Sequence, residues 1–365
     1  MDGRPKRSRH MQFPANHSET GRQGPTSDFE IMRGDAVQIL YDATKNLPRV
    51  KYVFGVYVES FTEEGDDEIG GTVHVRFSNG THGDYDLLVG ADGAGSRTRR
   101  LMFAPEDDSK NLHQLGVHVA YYTIPVQPGD SYDCVACQMG NGLTLLTRHD
   151  REDVLRALIM ARGEFPDLEE AYESGDVQKI KQTWAKHLEG IGWEGKRFQD
   201  GLLNETMSDD IYAHRLAQVK LREGKWSKGR VVLAGDAAAC APLGGGLGST
   251  ISLTTAYVLA GEIARHCFKT PGVVEVDCIA PATKEYERKM RPFVKDAHNA
   301  ASPASISAMM PNSRTEVWFY RVIVMVIDFF IRLKVDVLLR SLFVGADAVK
   351  WQVPFYPELE AEKSS

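Results

Sequence analysis

Two segments in which a short apolar strand runs directly into very small residues carrying one carboxylate set the strongest limit on what this chain can fold into. The first is Gly90-Ala91-Asp92-Gly93-Ala94-Gly95-Ser96-Arg97, preceded by the largely apolar run from Tyr85. The second is Gly235-Asp236-Ala237-Ala238-Ala239-Cys240-Ala241-Pro242, preceded by Val231 to Ala234 and continued by glycines to Gly248. A long helix then begins near Ser249 and reaches about His266, with Ile251, Leu259 and Ile263 in its buried face. Strand, glycine loop and helix in that order form a binding element for a phosphate or cofactor. Open α/β sheets bind ligands outside the carboxyl ends of their strands, so Asp92 and Asp236 are expected to face one site. Simpler accounts exist for each piece taken alone: Asp-Gly after a strand is a common turn, Asp236 could cap a turn, and the glycines could be a flexible loop.

The rest of the chain surrounds these segments with mixed elements. Met1 to Asp28 is polar and aperiodic and reads as a loop or disordered arm. From Glu30 to Ala43 the positions Ile31, Ala36, Val37, Ile39 and Leu40 recur at helical spacing, with Arg33 near the start. A strand is expected at about Lys51 to Glu59, another at Thr72 to Phe77, and a tight turn at Asn79-Gly80. Tyr85 to Ala91 reads as a strand buried on both faces, as parallel strands are. Leu115 to Ile124 alternates and suits an antiparallel sheet that Leu143 to Thr147 and Asp153 to Met160 extend. Asp167 to Lys186 reads as helix, charged on its outside.

Composition removes several function classes. The 365 residues are 42% apolar, enough for a sizeable core. Their net charge of −7 comes from interspersed acids and bases, which argues against nucleic-acid binding. Five cysteines, an odd number without a signal peptide, suggest reduced thiols in a cytoplasmic protein, with no disulfides. Cys134 and Cys137 have C-x-x-C spacing but no second pair or histidine cluster, so they read as buried structural thiols rather than a metal site. The apolar run 317–331 is broken by Arg321 and Asp328 and is too short to span a bilayer, although its aromatic face could touch a membrane surface.

Taken together, Leu88 to Gly93 with Ser96 and Arg97, and Gly229 to Ala238 with Pro242, Gly246 and Gly248, resemble motifs of the FAD-dependent aromatic hydroxylases, the para-hydroxybenzoate hydroxylase-like flavoprotein monooxygenases, in particular the branch containing tetracycline-inactivating enzymes. Ile31-Met32-Arg33-Gly34-Asp35 resembles the helix start whose arginine lies beside FAD. The resemblance implies an α/β fold: an incomplete, Rossmann-like FAD-binding domain of the glutathione-reductase type, an interleaved antiparallel-sheet substrate domain, and C-terminal helices. The expected boundaries are an arm at 1–28, FAD-binding parts at 29–110 and 226–300, a substrate sheet at 111–225 and a helical region at 301–365. It also implies cofactor contacts at Arg33, Asp92, Gly93, Arg97, Asp236, Pro242, Gly246, Gly248 and Ser249, and no metal. Ala239 stands where the family usually has His or Tyr, a departure that bears on pocket shape.

The implied function is NAD(P)H- and O2-dependent oxidation of an aromatic or polyketide-like small molecule in secondary metabolism, with FAD carrying the chemistry. The strand, G-x-G-x-x-G turn and helix with which this family opens are not found before Glu30, and 28 residues are too few for a βαβ unit of about 30. The chain as it stands is therefore expected to hold FAD weakly. An upstream coding segment, a degenerate paralogue and a flavin-free binding or cyclase-like descendant all fit that reading.

Overall fold

A computed structural model describes residues 11–13, 31, 33–64, 71–105, 108–139, 141–151, 153–204, 208–241, 247–268, 275, 278–300, 302, 305–307, 310–313, 315–320, 322 and 351–360. In chain order the elements are β1 (Met11–Phe13), α1 (Arg33–Thr44), β2 (Val58–Glu64), β3 (Thr72–Phe77), β4 (His82–Tyr85) and β5 (Leu88–Gly90). There follow α2 (Arg97–Phe103), β6 (Leu112–Pro125), β7 (Cys134–Gln138), β8 (Leu143–Arg151), β9 (Val154–Arg162), α3 (Pro166–Ser174), α4 (Val177–His187) and α5 (Gly195–Leu203). The chain continues with β10 (Tyr212–Val219), β11 (Ser227–Lys228), β12 (Val231–Leu233), α6 (Asp236–Ala239), α7 (Gly248–Cys267) and α8 (Ile279–Ala300). Two compact units result, one drawn from Met1–Tyr52, Gly116–Leu216 and Ile306–Val337, the other from Val53–Leu115, Ala217–Ser305 and Leu338–Ser365.

The first unit is built on a six-stranded sheet in the order β1-β7-β8-β9-β6-β10. The β1/β7, β7/β8, β8/β9 and β9/β6 pairs are all antiparallel. β9 alternates half-buried and buried residues along its whole length, the pattern of a strand with one covered face. That covered face carries Tyr122, Leu145 and Ile159, which pack against Leu168, Trp184 and Phe198 of α3, α4 and α5. Gly201 of α5 is needed for this packing, since a Cβ there would lie 2.5 Å from Ile124 Cγ2. The expected single helix from Asp167 to Lys186 is two helices. Gly175 ends α3 at φ 67°, and the Asp176 side chain caps α4 by accepting from the Gln178 and Lys179 amides.

In the second unit β2, β3 and β4 form an antiparallel meander. Its β3/β4 turn is the expected one, with Gly80 at φ 81°. The expected strand at Lys51 to Glu59 starts only at Val58, because 51–57 make no ladder. A separate sheet pairs β12 in parallel with β5 and antiparallel with β11. β12 is fully buried and centres the core, with Ile251 and Val258 of α7 and Tyr286 and Met290 of α8 packed around it. The expectation that β5 is buried on both faces fails, since Val89 is 41% exposed and, among the described residues, only β12 pairs with β5. The helix expected near Arg33 forms as α1, but its apolar positions Val37, Ile39 and Leu40 are exposed. Of the apolar run 317–331, only 317–320 and 322 are described; there Trp318 and Phe319 are exposed. No helix among the described residues is long and apolar enough to cross a membrane.

The expectation of no disulfides is corrected by a Cys267–Cys278 bridge with a Cα–Cα distance of 5.0 Å. Cys267 ends α7 and Cys278 directly precedes α8, so the packing of these helices brings together cysteines 11 residues apart. Closing such a loop restricts the unfolded chain, and the double variant Cys267→Ala/Cys278→Ala is expected to lose about 2–3 kcal/mol of stability. A thermal midpoint in the double variant equal to that of the unreduced wild type would show that the bridge contributes nothing. Cys134 and Cys137 are thiols, not disulfide-bonded. Three residues apart on β7, they point to opposite faces, which rules out a shared metal or a mutual bridge. Burial pushes the Cys134 thiol up to about 11, so it is not a ready nucleophile.

Candidate functional site

The parallel register Val231↔Leu88, Val232↔Val89 and Leu233↔Gly90 brings the two carboxylate-bearing loops to the same end of neighbouring strands. Asp92 follows β5 by two residues, and Asp236 follows β12 by three. α2 lies directly against β5, and a Cβ at Gly90 would meet Thr98 side-chain carbons at 2.8 Å and Leu233 Cδ2 at 2.9 Å. Only glycine allows that approach.

The Asp92 carboxylate is turned onto the start of α2. It accepts from the Arg97 amide at 2.8 Å, the Thr98 amide at 2.9 Å, the Thr98 hydroxyl at 3.1 Å and the Ser96 hydroxyl. Ser96 in turn caps the helix by accepting from the Arg99 amide at 2.9 Å. Partial burial of the carboxyl raises its pKa, but the hydrogen bonds from Ser96 and Thr98 together outweigh that effect, so Asp92 lies below the ordinary carboxylate range and remains ionised. In this structure Asp92 therefore organises the loop and the helix start. Gly93, at φ 81°, makes the turn between them.

Arg97 is exposed, with its guanidinium 4.0 Å over the Tyr57 ring. The arginine that sequence reasoning missed is Arg99, whose residue exposure is 0%. Its Nη1 donates to the Ala237 carbonyl at 2.9 Å and its Nη2 to the Ala94 carbonyl at 2.7 Å, so one guanidinium ties the loop after β5 to α6, in the segment after β12. Nε and Nη2 also form a two-pronged pair with Asp108, each at 2.8 Å. The available signal was the helix phase: counted from the Ser96 cap, Arg99 falls on the inward side and Arg97 and Arg100 on the outward side.

On the second loop Gly235 adopts φ 60°, a conformation that favours glycine, and its amide donates to Thr255 Oγ1 of α7 at 2.9 Å. The Tyr286 hydroxyl of α8 donates to the Leu233 carbonyl at 3.1 Å and fixes the end of β12. Asp236 opens α6 half-buried, while Ala237, Ala238 and Ala239 are fully buried in the core beneath it. Gly248 and Ser249 form the first turn of α7, whose N-cap, Leu247, has no side-chain hydrogen bond. Its first amides and positive dipole end are thus not capped by the chain's own cap residue. Pro242 and Gly246 lie outside the described residues, and so does the side chain of Arg33, which begins α1 in the other unit. Asp92, Gly93, Arg97, Asp236, Gly248 and Ser249 all belong to the second unit.

In the first unit the sheet face opposite α3–α5 carries Tyr121 stacked on Tyr212 and His214, with Leu146, Leu158 and Met160 half-buried alongside. No group of histidine, cysteine and acidic side chains among the described residues could hold a metal ion.

Residues 22–270 match the family described as FAD binding domain. The chain is 42% identical over 284 residues to flavin-dependent monooxygenase eupH of Phoma sp, covering 77% of this chain and 65% of eupH. It is 36% identical to FAD-dependent monooxygenase asL6 of Sarocladium schorii, covering 96% of this chain and 79% of that protein. Among solved structures it is similar to tetracycline destructase Tet(51), with a TM-score of 0.59 and 29% identity over 74% of this chain and 65% of that one. The fold also matches tetracycline destructase Tet(55), with a TM-score of 0.63 and 23% identity over 89% of this chain and 74% of that one. The chain thus spans about 65% of the length of eupH and Tet(51). With two carboxylate loops at the carboxyl ends of a parallel strand pair and this match over 22–270, the chain belongs to the FAD-binding monooxygenase family.

Proposed function

We propose that the chain is the catalytic part of a flavin monooxygenase that inserts oxygen into an aromatic or polyketide-like small molecule of secondary metabolism, using NAD(P)H and O2. The observation that carries the flavin reading is the pairing of β5 with β12, which presents Asp236 and the first turn of α7 from one sheet end. The residues fit a flavin: a half-buried carboxylate for ribityl hydroxyls, a helix start free of a side-chain cap, and a glycine-bounded turn. When bound, FAD would supply hydride acceptance and oxygen activation. Asp236 would accept hydrogen bonds from the ribityl chain and fix its depth. The amides of Gly248 and Ser249 would face the edge of the ring that becomes negative on reduction and favour that charge. Arg97, exposed beside Tyr57, offers a cation to an anionic nicotinamide cofactor.

The sheet face opposite α3–α5 supports the substrate reading. Its stacked Tyr121, Tyr212 and His214 beside Leu146, Leu158 and Met160 suit a flat, largely apolar ring system. Relatives named as flavin- or FAD-dependent monooxygenases and as tetracycline destructases agree with this class of chemistry.

The test is oxygen consumption with FAD and either NADH or NADPH across a panel of phenolic and polyketide aromatics. Consumption that depends on added FAD and rises with at least one ring substrate is expected. Protein that neither shows a flavin band nor consumes oxygen would favour the flavin-free binding alternative.

A further inference from the structure

Cys240 and Ala241 stand before residues 242–246 in the sequence and Leu247 and Gly248 after them, and Ala241 and Gly248 sit together. The Ala241 carbonyl oxygen lies 3.3 Å from where a Cβ on Gly248 would stand. The Cys240 carbonyl, directly after α6, is held from two sides. The Val219 amide at the end of β10 donates to it at 3.2 Å, and His298 Nε2, from the last turn of α8, lies 3.0 Å from it. Cys240 caps the end of α6, yet neither partner comes from α6 or from α7.

His298 is itself fixed. Gln218, fully buried in β10, donates its Nε2 to the His298 carbonyl at 3.0 Å, so β10 anchors both the Cys240 carbonyl and the residue that holds it. Because the Cys240 oxygen can only accept, the contact requires the proton on His298 Nε2.

We propose that His298 is a positioning residue for the flavin site, its Nε2–H hydrogen bond to the Cys240 carbonyl holding the Cys240–Ala241 peptide against Gly248, where α7 starts. This rests on the flavin reading above. His298 acts on the site through the Cys240–Ala241 peptide. Burial pulls the imidazole down to about 4, chiefly by desolvation, with the Cys240 contact acting in the opposite direction and Lys220 and His113 lowering it further. The ring is thus neutral at physiological pH, and the clamp adds no charge beside the flavin.

The sequence offers a direct readout. Cys240–Ala241 is the only Cys-Ala pair in the chain, so labelling cysteine carbonyl carbon with 13C and alanine nitrogen with 15N yields a single carbonyl-to-amide NMR correlation from the clamped peptide. In His298→Ala that signal is expected to move, because its carbonyl loses an acceptor bond, while His298→Gln, which keeps a donor, should return it toward the wild-type position. FAD affinity measured on the same samples should fall about tenfold in His298→Ala and recover in His298→Gln, the scale of one hydrogen bond. A signal unmoved in His298→Ala would overturn the clamp. A moved signal with FAD affinity unchanged would overturn its positioning role. If wild-type protein binds no added FAD, the flavin reading fails and the role with it, and the NMR signal still shows separately whether the clamp exists.

Discussion

Arg99→Met is expected to cost about 3–5 kcal/mol of folding stability, the penalty for removing one partner of a buried, hydrogen-bonded ion pair. Methionine fills much of the space but donates nothing. Asp108, 12% exposed, would lose its two-pronged partner, and the Ala94 and Ala237 carbonyls would each lose a donor in the core. The loss should appear as a fall of about 5–10 °C in the thermal midpoint. Arg97→Ala, two residues away, removes an exposed cation–π contact and a solvent-screened attraction to Glu59 and should change stability by less than about 1 kcal/mol. Equal effects of the two substitutions would mean that Arg99 does not tie the loop after β5 to α6 as described.

That contrast marks where the sequence stopped being legible. Arg97 and Arg99 sit in one basic run, Arg97-Thr98-Arg99-Arg100, and composition cannot rank them. What separates them is the rotation of α2 on β5, fixed by the Ser96 cap and by the close contact of Gly90 with Thr98. The same limit applies to Asp92. Its position at the end of an apolar strand was readable, but its engagement with the amides of α2 depends on where the helix starts in space. The Cys267–Cys278 bridge was hidden for a related reason, since it depends on how α7 and α8 lie together rather than on cysteine number.

Local patterns were more transparent. The β3/β4 hairpin followed from alternation and Asn79-Gly80, and the antiparallel sheet from alternation in β6 and β9. The parallel neighbours β5 and β12 followed from two short apolar runs ending in small residues. The break between α3 and α4 was written as Gly175-Asp176, a helix-ending residue followed by a capping one, but the charged face continued across it. The exposure of Val37, Ile39 and Leu40 on α1 was not legible, because periodicity shows that an apolar face exists and not whether anything covers it.

Asp236→Ala is expected to weaken FAD binding by about 2–3 kcal/mol, roughly 30- to 150-fold, since ribityl hydroxyls would lose a carboxylate acceptor in a partly dry site. The change should fall on binding rather than on folding. Asp236 is half-buried at the start of a single-turn helix, whereas the alanines after it, which remain, fill the core. Asp236→Asn keeps a neutral acceptor and should lie between the two. The direct measurement is a titration of FAD into purified wild-type, Asp236→Asn and Asp236→Ala proteins, following flavin fluorescence, with unfolding curves confirming equal stability. The flavin site proposed at the carboxyl ends of β5 and β12 predicts dissociation constants rising in that order, with the Ala variant weaker by at least about 30-fold. Indistinguishable constants for wild type and Asp236→Ala, or no FAD binding by wild type at any accessible concentration, would contradict it.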